Sequence, residues 1–401
     1  MLKLGEPLKV LLKGSLISQL LAILFVPVVT YVYSPKEFGE YAELLNWAIM
    51  ISPIFAFGME RAIPYVKREQ QTSLFFRLTY LSLKTLLFFA VLIFLGGYFS
   101  EFFEPLKLIF VLLLSFSFFY TMLLGYYLVS TAKYKEDSNL KILQSLSVLF
   151  GQIGIGLIKP MSICLLLAEL FARILVLMFS LKKNVVFTNF SLYTGLRSLK
   201  QYYTYGLMST LMVSLCVNLP VVLIAFIYGE VKAALYFLSV KLLLAPASLI
   251  SVSIGRLYYV DCCRNNAEEK SNERLFKSNF CKLFLLGSGI YSVAAIALPL
   301  LVTTLAISWQ GIEELMYIIL PLAFVQFFSA PLSMTLTAYD KQYYDFFVNF
   351  FRLVGVLIIS SASYVYGYEF KAFLLGFVCI SILSYLTPLF ISLKLVTSKN
   401  D

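Results

Sequence analysis

The sequence predicts an all-α polytopic membrane protein of about 12 transmembrane helices, built as two parallel six-helix lobes with both termini cytoplasmic. Three observations predict it. Apolar runs occupy almost the whole chain, the links between them alternate between lysine- and arginine-rich and basic-poor, and the first apolar run is echoed by the seventh. With 60% hydrophobic and 13% charged residues and a mean hydropathy of +0.85, the composition is far from that of soluble domains, where about a quarter of residues are charged. A bilayer core about 30 Å thick needs roughly 20 apolar residues per helix. Unbroken runs of that length exclude an outer-membrane barrel, whose strands alternate in polarity over about ten residues.

The spans fall at 12–33, 43–64, 75–98, 106–130, 141–158 and 161–181 in the first half, and at 205–228, 233–255, 281–303, 312–336, 344–366 and 372–394 in the second. The first run reads as a span and not as a cleavable leader. It is long, carries Pro27, and leads into Ser34-Pro35-Lys36-Glu37-Phe38-Gly39 rather than a small-residue cleavage site. Prolines interrupt several later spans at Pro53, Pro220, Pro246, Pro299, Pro321, Pro331 and Pro388, where each removes a backbone donor and bends the helix. The expected lobes are 1–182 and 205–401, joined by a cytoplasmic linker over 183–204.

Orientation follows from the basic residues, which stay on the cytoplasmic side. One alternating set of loops carries about 23 lysines and arginines; the other carries 5, namely Lys36, Lys107, Lys159, Lys232 and Lys371. The net charge of +10 is dispersed over the inner loops, which suits attraction to anionic lipid and calls for no nucleic acid. The longest polar stretches, 183–204 and 257–280, fall on the inner side. Six cysteines, at 164, 216, 262, 263, 281 and 379, lack metal or disulfide-framework spacing, and the Cys262-Cys263 pair lies in the most basic inner loop, a reducing setting.

Catalysis finds few candidates. The chain has no histidine, hence no imidazole for a general base, a triad or a mixed-ligand metal site. It has no phosphate-binding Walker loop. Outward carboxylates such as Glu101 with Glu104 and Glu313 with Glu314 read as solvated interfacial charges rather than acid/base pairs. The chain reads as a non-enzyme with no cofactor.

Charge inside the spans is more telling, because a lysine, arginine or aspartate near the bilayer centre costs at least about 2.5–3.5 kcal/mol. Lys84, Arg173, Lys241 and Arg352 sit within spans, and Glu169 stands one turn before Arg173 for an i,i+4 pair. Lys84, Lys241 and Arg352 have no local counter-charge. They are expected to line a hydrated cavity, meet an anion, or reach an interface. Their shared sign favours an anionic cargo such as a phosphate or pyrophosphate head group.

Internal similarity points the same way. Gly14-Ser15-Leu16-Ile17-Ser18-Gln19, Pro27-Val28-Val29, Tyr33, Lys36 and Tyr41 are matched by Gly206-Leu207-Met208-Ser209-Thr210, Pro220-Val221-Val222, Tyr228, Lys232 and Tyr236. Repeats six spans apart share one orientation and define a pseudo-twofold along the membrane normal, as in transporters that rock two lobes about a central site.

These residues also carry a resemblance. The Lys13-Gly14-Ser15 to Pro27 span with its Tyr33-Ser34-Pro35-Lys36-Glu37-Phe38-Gly39-Glu40-Tyr41 turn resembles the opening of Wzx-type O-antigen flippases, the polysaccharide-export branch of the MOP (MATE-like) superfamily. Gly58-Met59-Glu60-Arg61-Ala62-Ile63 and the Asn218-to-Pro246 block resemble later family signatures, with Ala234 where glycine is commoner. The resemblance implies two six-helix lobes that alternate between inward- and outward-open states in a bacterial inner membrane. It implies a cargo of undecaprenyl-pyrophosphate-linked oligosaccharide, an O-antigen or capsule repeat unit used in lipopolysaccharide or other surface-polysaccharide synthesis. Coupling to Na+ or H+, and a polysaccharide polymerase and a chain-length regulator as partners, are further implications. The expected head-group contacts are Lys241, Arg352, Lys84 and Arg61, with Arg173 and Glu169 after them. The alternatives are a MOP exporter of another cargo (lipid precursor, teichoic acid or drug), an O-antigen polymerase or ligase, and a scaffold of a glycan-assembly complex.

Overall fold

The computed structural model is nearly all helical and describes residues 13–14, 16–21, 26–56, 59–66, 68–99, 105–181, 207–246, 252–305, 309–339 and 341–397. Lys3, Lys9, Glu101, Glu104 and the expected linker 183–204 lie outside the described residues. The chain divides into two compact units, 1–222 and 223–401.

Unit 1 begins with α1 (Val26–Val32) and α2 (Pro35–Ile51). The start of α2 follows from its sequence. Ser34 caps it, its Oγ accepting the Glu37 N–H at 3.3 Å, and Pro35 occupies the first turn, where no amide donor is needed. Two 3-10 segments follow, Ser52–Ala56 and Met59–Tyr65, then α3 (Arg68–Phe99), α4 (Pro105–Ser130), α5 (Tyr134–Ile158) and α6 (Ser162–Leu181). The next helix, α7 (Leu207–Tyr228), carries Pro220 in its interior and passes from unit 1 into unit 2. Helix α4 is the hub of unit 1, packing against α2, α3, α5, α6 and both 3-10 segments. Its buried Phe119, Tyr120, Leu123 and Leu124 join Phe55, Ile63, Phe75 and Leu78 in one apolar core. By contrast, α3 leaves Leu87, Phe88, Val91 and Phe94 exposed, the face a lipid solvent would cover.

Unit 2 contains α8 (Glu230–Pro246), α9 (Val252–Ala267), α10 (Glu273–Leu305), α11 (Ile312–Leu332), the short α12 (Met334–Ala338), α13 (Gln342–Tyr366) and α14 (Phe370–Thr397). Here α11 is the hub, packing against α8, α9, α10 and α14. The hubs α4 and α11 are the fourth spans of their halves. The surrounding pairs correspond as well: α3 with α4 matches α10 with α11, α4 with α6 matches α11 with α14, and α5 with α6 matches α13 with α14. The repeat seen in short sequence matches is thus also a repeat of packing.

Two expectations are corrected. The second span is not one helix over 43–64: α2 ends at Ile51, and Pro53, which cannot donate to the preceding turn, opens a 3-10 segment. The polar stretch 257–280, read as an inner loop, is mostly helical, with α9 running to Ala267 and α10 starting at Glu273. Asn272 ties this region together. Its Nδ2 donates to the Asn266 side chain at 3.0 Å and to the Tyr339 hydroxyl at 3.2 Å, while its Oδ1 accepts from Asn265 at 2.9 Å. Among the described residues, nine helices are long and apolar enough to cross a membrane. The three expected spans beyond these begin at 12, 43 and 233. The first runs partly through residues outside the description, the second is the interrupted one, and the third is α8, 17 residues long.

The contact of α1 with α5 sets a packing test. Tyr33, just after α1, donates its hydroxyl to the Gln152 carbonyl of α5 at 2.6 Å, and a Cβ at Gly156 would collide with the Tyr33 phenol, whereas one at Gly154 meets open space. Gly156→Leu should therefore lower the stability of the detergent-solubilised protein by roughly 1–3 kcal/mol through overpacking. Gly154→Leu should not lower it; thermal unfolding of the two variants side by side checks the difference.

Candidate functional site

Glu169 and Arg173 lie one turn apart on α6, both buried, with the guanidinium donating to the carboxylate at 3.3 Å. The pair is held from three other helices. From α2, the Tyr41 hydroxyl donates to the second Glu169 oxygen at 3.1 Å, and from α5, Gln152 Nε2 donates to the Tyr41 hydroxyl at 3.4 Å. From the hub α4, Thr121 Oγ1 accepts from Arg173 at 3.1 Å, and the guanidinium lies 3.5 Å from the centroid of the Phe118 ring. These hydrogen bonds and the cation–π contact supply what a charge held in an apolar span requires.

The turn that carries the resemblance converges on the same helix. Glu37 Oε2 accepts the Ser162 backbone N–H at 2.6 Å, and Glu40 Oε2 accepts the Ser162 hydroxyl at 2.8 Å, while the other Glu40 oxygen pairs with Lys107 at 3.2 Å. Carboxylates at the N-terminus of α6 meet the positive end of its dipole. Glu37, Glu40 and Tyr41 thereby fix the position of Glu169 and Arg173. They are positioning residues.

In unit 2, Arg352 of α13 is buried, donates to the Tyr385 hydroxyl of α14 at 3.3 Å, and lies 4.9 Å from the centroid of that ring. Tyr236 of α8, edge-on to Phe377 at 5.8 Å, is within electrostatic reach of Arg352 and Tyr385. Lys241 stands further along α8, exposed, with its ammonium 5.2 Å from the Phe237 ring. Lys84 is exposed on α3 beside Leu83 and Leu87, its ammonium 4.6 Å from the Tyr80 ring. Arg61 falls in the second 3-10 segment, and its side chain lies outside the described residues. The structure thus brings together Glu169 with Arg173 in unit 1, and Arg352 with Tyr385 and Tyr236 in unit 2.

Lys84, Arg173, Lys241 and Arg352 each sit over an aromatic ring. Two of the rings, Tyr80 and Phe237, precede their lysine by four residues, a spacing legible in the sequence. The others, Phe118 and Tyr385, come from neighbouring helices and carry no local signal. Glu60 is a further residue that charge counting passed over; it is wholly buried in the second 3-10 segment. Among the described residues, no group of three or more metal-ligating side chains occurs.

No protein-family model matches the chain, and no curated protein matches it. Solved structures do. A MOP superfamily transporter from Pyrococcus furiosus, described as having a binding pocket of reverse polarity that suggests a different function, aligns over 99% of this chain and 97% of its own at 14% identity and a TM-score of 0.61. An outward-facing multidrug-resistance MATE family transporter aligns over 99% and 97% at 11% identity and a TM-score of 0.63. An inward-facing one aligns over 99% and 96% at 13% identity and 0.61. The chain has the fold of MOP superfamily transporters.

Leaving one member of a buried ion pair alone in an apolar span should be costly. Arg173→Ala and Glu169→Ala are each expected to destabilise the purified protein by roughly 3 kcal/mol. The double variant Glu169→Ala with Arg173→Ala should lose less than the sum of the two single losses, as a double-mutant cycle of thermal unfolding would read out.

Proposed function

We propose that the protein is a flippase that carries an undecaprenyl-pyrophosphate-linked oligosaccharide from the cytoplasmic to the outer leaflet of a bacterial inner membrane by alternating access, coupled to an ion gradient. The observation that carries this reading is the sign and seating of the in-span charge. Lys84, Arg173, Lys241 and Arg352 each rest on an aromatic ring. A pyrophosphate-linked glycan presents both complements: an anionic head group for lysine and arginine, and sugar rings for aromatic faces.

The fold supports transport, because the structures it matches are transporters caught in outward- and inward-facing states. The Pyrococcus furiosus protein gives the same fold a pocket of reverse polarity, so a change of charge sign within this architecture has a precedent. Arg352 is the strongest candidate head-group contact. It is buried, its ring partner Tyr385 comes from the adjacent α14, and no acidic residue lies within one helical turn of it in the sequence. Lys241 follows, and Lys84 and Arg61 after it. Arg173 with Glu169 is committed to the network on α6.

The MOP exporter of another cargo is the second reading, favoured by the MATE neighbours, which are named for multidrug resistance. The two readings differ in what the cations do. In cells of the source organism, Arg352→Ala and Lys241→Ala should each abolish surface polysaccharide while the protein still inserts in the membrane at normal level. Unchanged polysaccharide in both variants overturns the assignment of the cations to the cargo.

A further inference from the structure

The outward loops of unit 2, as the charge bias assigns them, enclose a hollow that neither the in-span cations nor the ion pair on α6 uses. It has a volume of about 670 Å³ and lies between the end of α7, the start of α11 and the α13–α14 turn. The turns that shape it depend on glycine: Gly311 and Gly367 on its wall have φ of +85° and +65°, a backbone region that side-chain-bearing residues rarely adopt. The α13–α14 turn is pinned by the Tyr228 hydroxyl, which donates to the Tyr368 carbonyl at 3.0 Å, and by the Lys371–Glu314 ion pair at 2.6 Å.

We infer that this hollow is a saccharide-binding subsite, formed by the faces of Tyr364 and Tyr368 and by the polar groups of Lys232, Glu314, Lys371 and Ser363. Four properties point to a sugar. The volume falls in the range of small-ligand sites. Tyr364 and Tyr368 line the hollow while 65% and 49% exposed, offering ring surface to a ligand. The lining charges, Lys232 and Lys371 against Glu314 and Glu369, balance, so the site selects for neither a phosphate nor a cation, yet it presents donors and acceptors together, as a polyhydroxylated ring demands. Finally, Ser363 on the wall is 1% exposed and its hydroxyl has no hydrogen-bond partner among the described residues; a buried polar group of that kind is costly unless a ligand or solvent satisfies it.

Tyrosines at a membrane interface often serve only as an aromatic belt. A belt needs no hollow of this volume, no balanced set of charges beside the rings and no buried hydroxyl in the wall. An acyl chain is excluded by the four charged groups. The binding assignment stands on the hollow alone; its place as the acceptor of the glycan on the far side of the membrane rests on the flippase reading.

The test is saturation-transfer difference NMR on the full-length protein in nanodiscs, with free N-acetylglucosamine, galactose, mannose, rhamnose and glucuronic acid as probes and inorganic pyrophosphate as a competitor. At least one neutral sugar should show transfer that falls about fivefold in Tyr364→Ala and Tyr368→Ala, the worth of one aromatic stacking contact, and that falls also in Glu314→Gln, which gives up a charged acceptor. It should persist in Phe390→Ala, a substitution of an exposed ring elsewhere, and in the presence of pyrophosphate. Because Tyr364 and Tyr368 are exposed, their loss leaves the core intact; Glu314→Gln keeps the size of the side chain and gives up the ion pair with Lys371, leaving the Tyr228–Tyr368 hydrogen bond to hold the α13–α14 turn. Absence of transfer from every sugar, transfer indifferent to all three substitutions, or displacement by pyrophosphate overturns the subsite. The outcomes separate from those of the transport reading: sugar binding together with normal polysaccharide in Arg352→Ala and Lys241→Ala leaves the subsite and removes the cations from the cargo, and the opposite pattern leaves the cations on the cargo and removes the subsite.

Discussion

A charge placed where water cannot follow must be given partners by the protein, and that constraint organises this structure. In an apolar span a lysine or arginine has little to compensate its lost hydration. Here Lys84, Arg173, Lys241 and Arg352 have met the requirement in the same way, with the face of an aromatic ring, and Arg173 and Arg352 add hydrogen bonds to a carboxylate or hydroxyl. The aromatic content of 16% is therefore not only interfacial. Part of it is solvent for the cations.

The same constraint explains why the first turn of the chain matters so far from its own position. Glu37, Glu40 and Tyr41 sit together around the start of α2, but their hydrogen bonds go to Ser162 and Glu169 on α6. One short segment thus sets both the start of α6 and the environment of its buried acid. The hub α4 completes the arrangement through Thr121 and Phe118, so the ion pair is a junction of four helices and not a decoration of one.

What could be read from the sequence divides along the range of the interactions. Apolar runs and basic loops are local, and they gave the bundle and most of its helices; the i,i+4 spacing of Glu169 and Arg173 is local too and is realised. The failures are of two kinds. At 257–280 polarity alone marks a loop, yet α9 and α10 are helical there, with Tyr258 hydrogen-bonded to Thr335 at 2.6 Å and Asn272 joining the two ends, contacts that hydropathy does not report. Apolarity alone makes 43–64 one continuous span, whereas Pro53 within it sets a backbone geometry that ends the helix in a 3-10 segment. In the candidate sites, Tyr80 and Phe237 were legible by spacing, whereas Tyr41, Phe118 and Tyr385 become partners only through packing between helices.

The hub position of α4 bears on the order in which the protein can be assembled. A helix emerging fourth finds α2 and α3 already made, but it must wait for α6 before Thr121 and Phe118 acquire the guanidinium they hold. When α6 enters the membrane it brings Glu169 and Arg173 together, so opposite charges one turn apart travel as a pair until Tyr41, synthesised more than a hundred residues earlier, can close over the acid. The first half is therefore a unit of biogenesis that is incomplete until its last helix arrives, and a substitution that splits the pair acts on insertion before it acts on the finished protein.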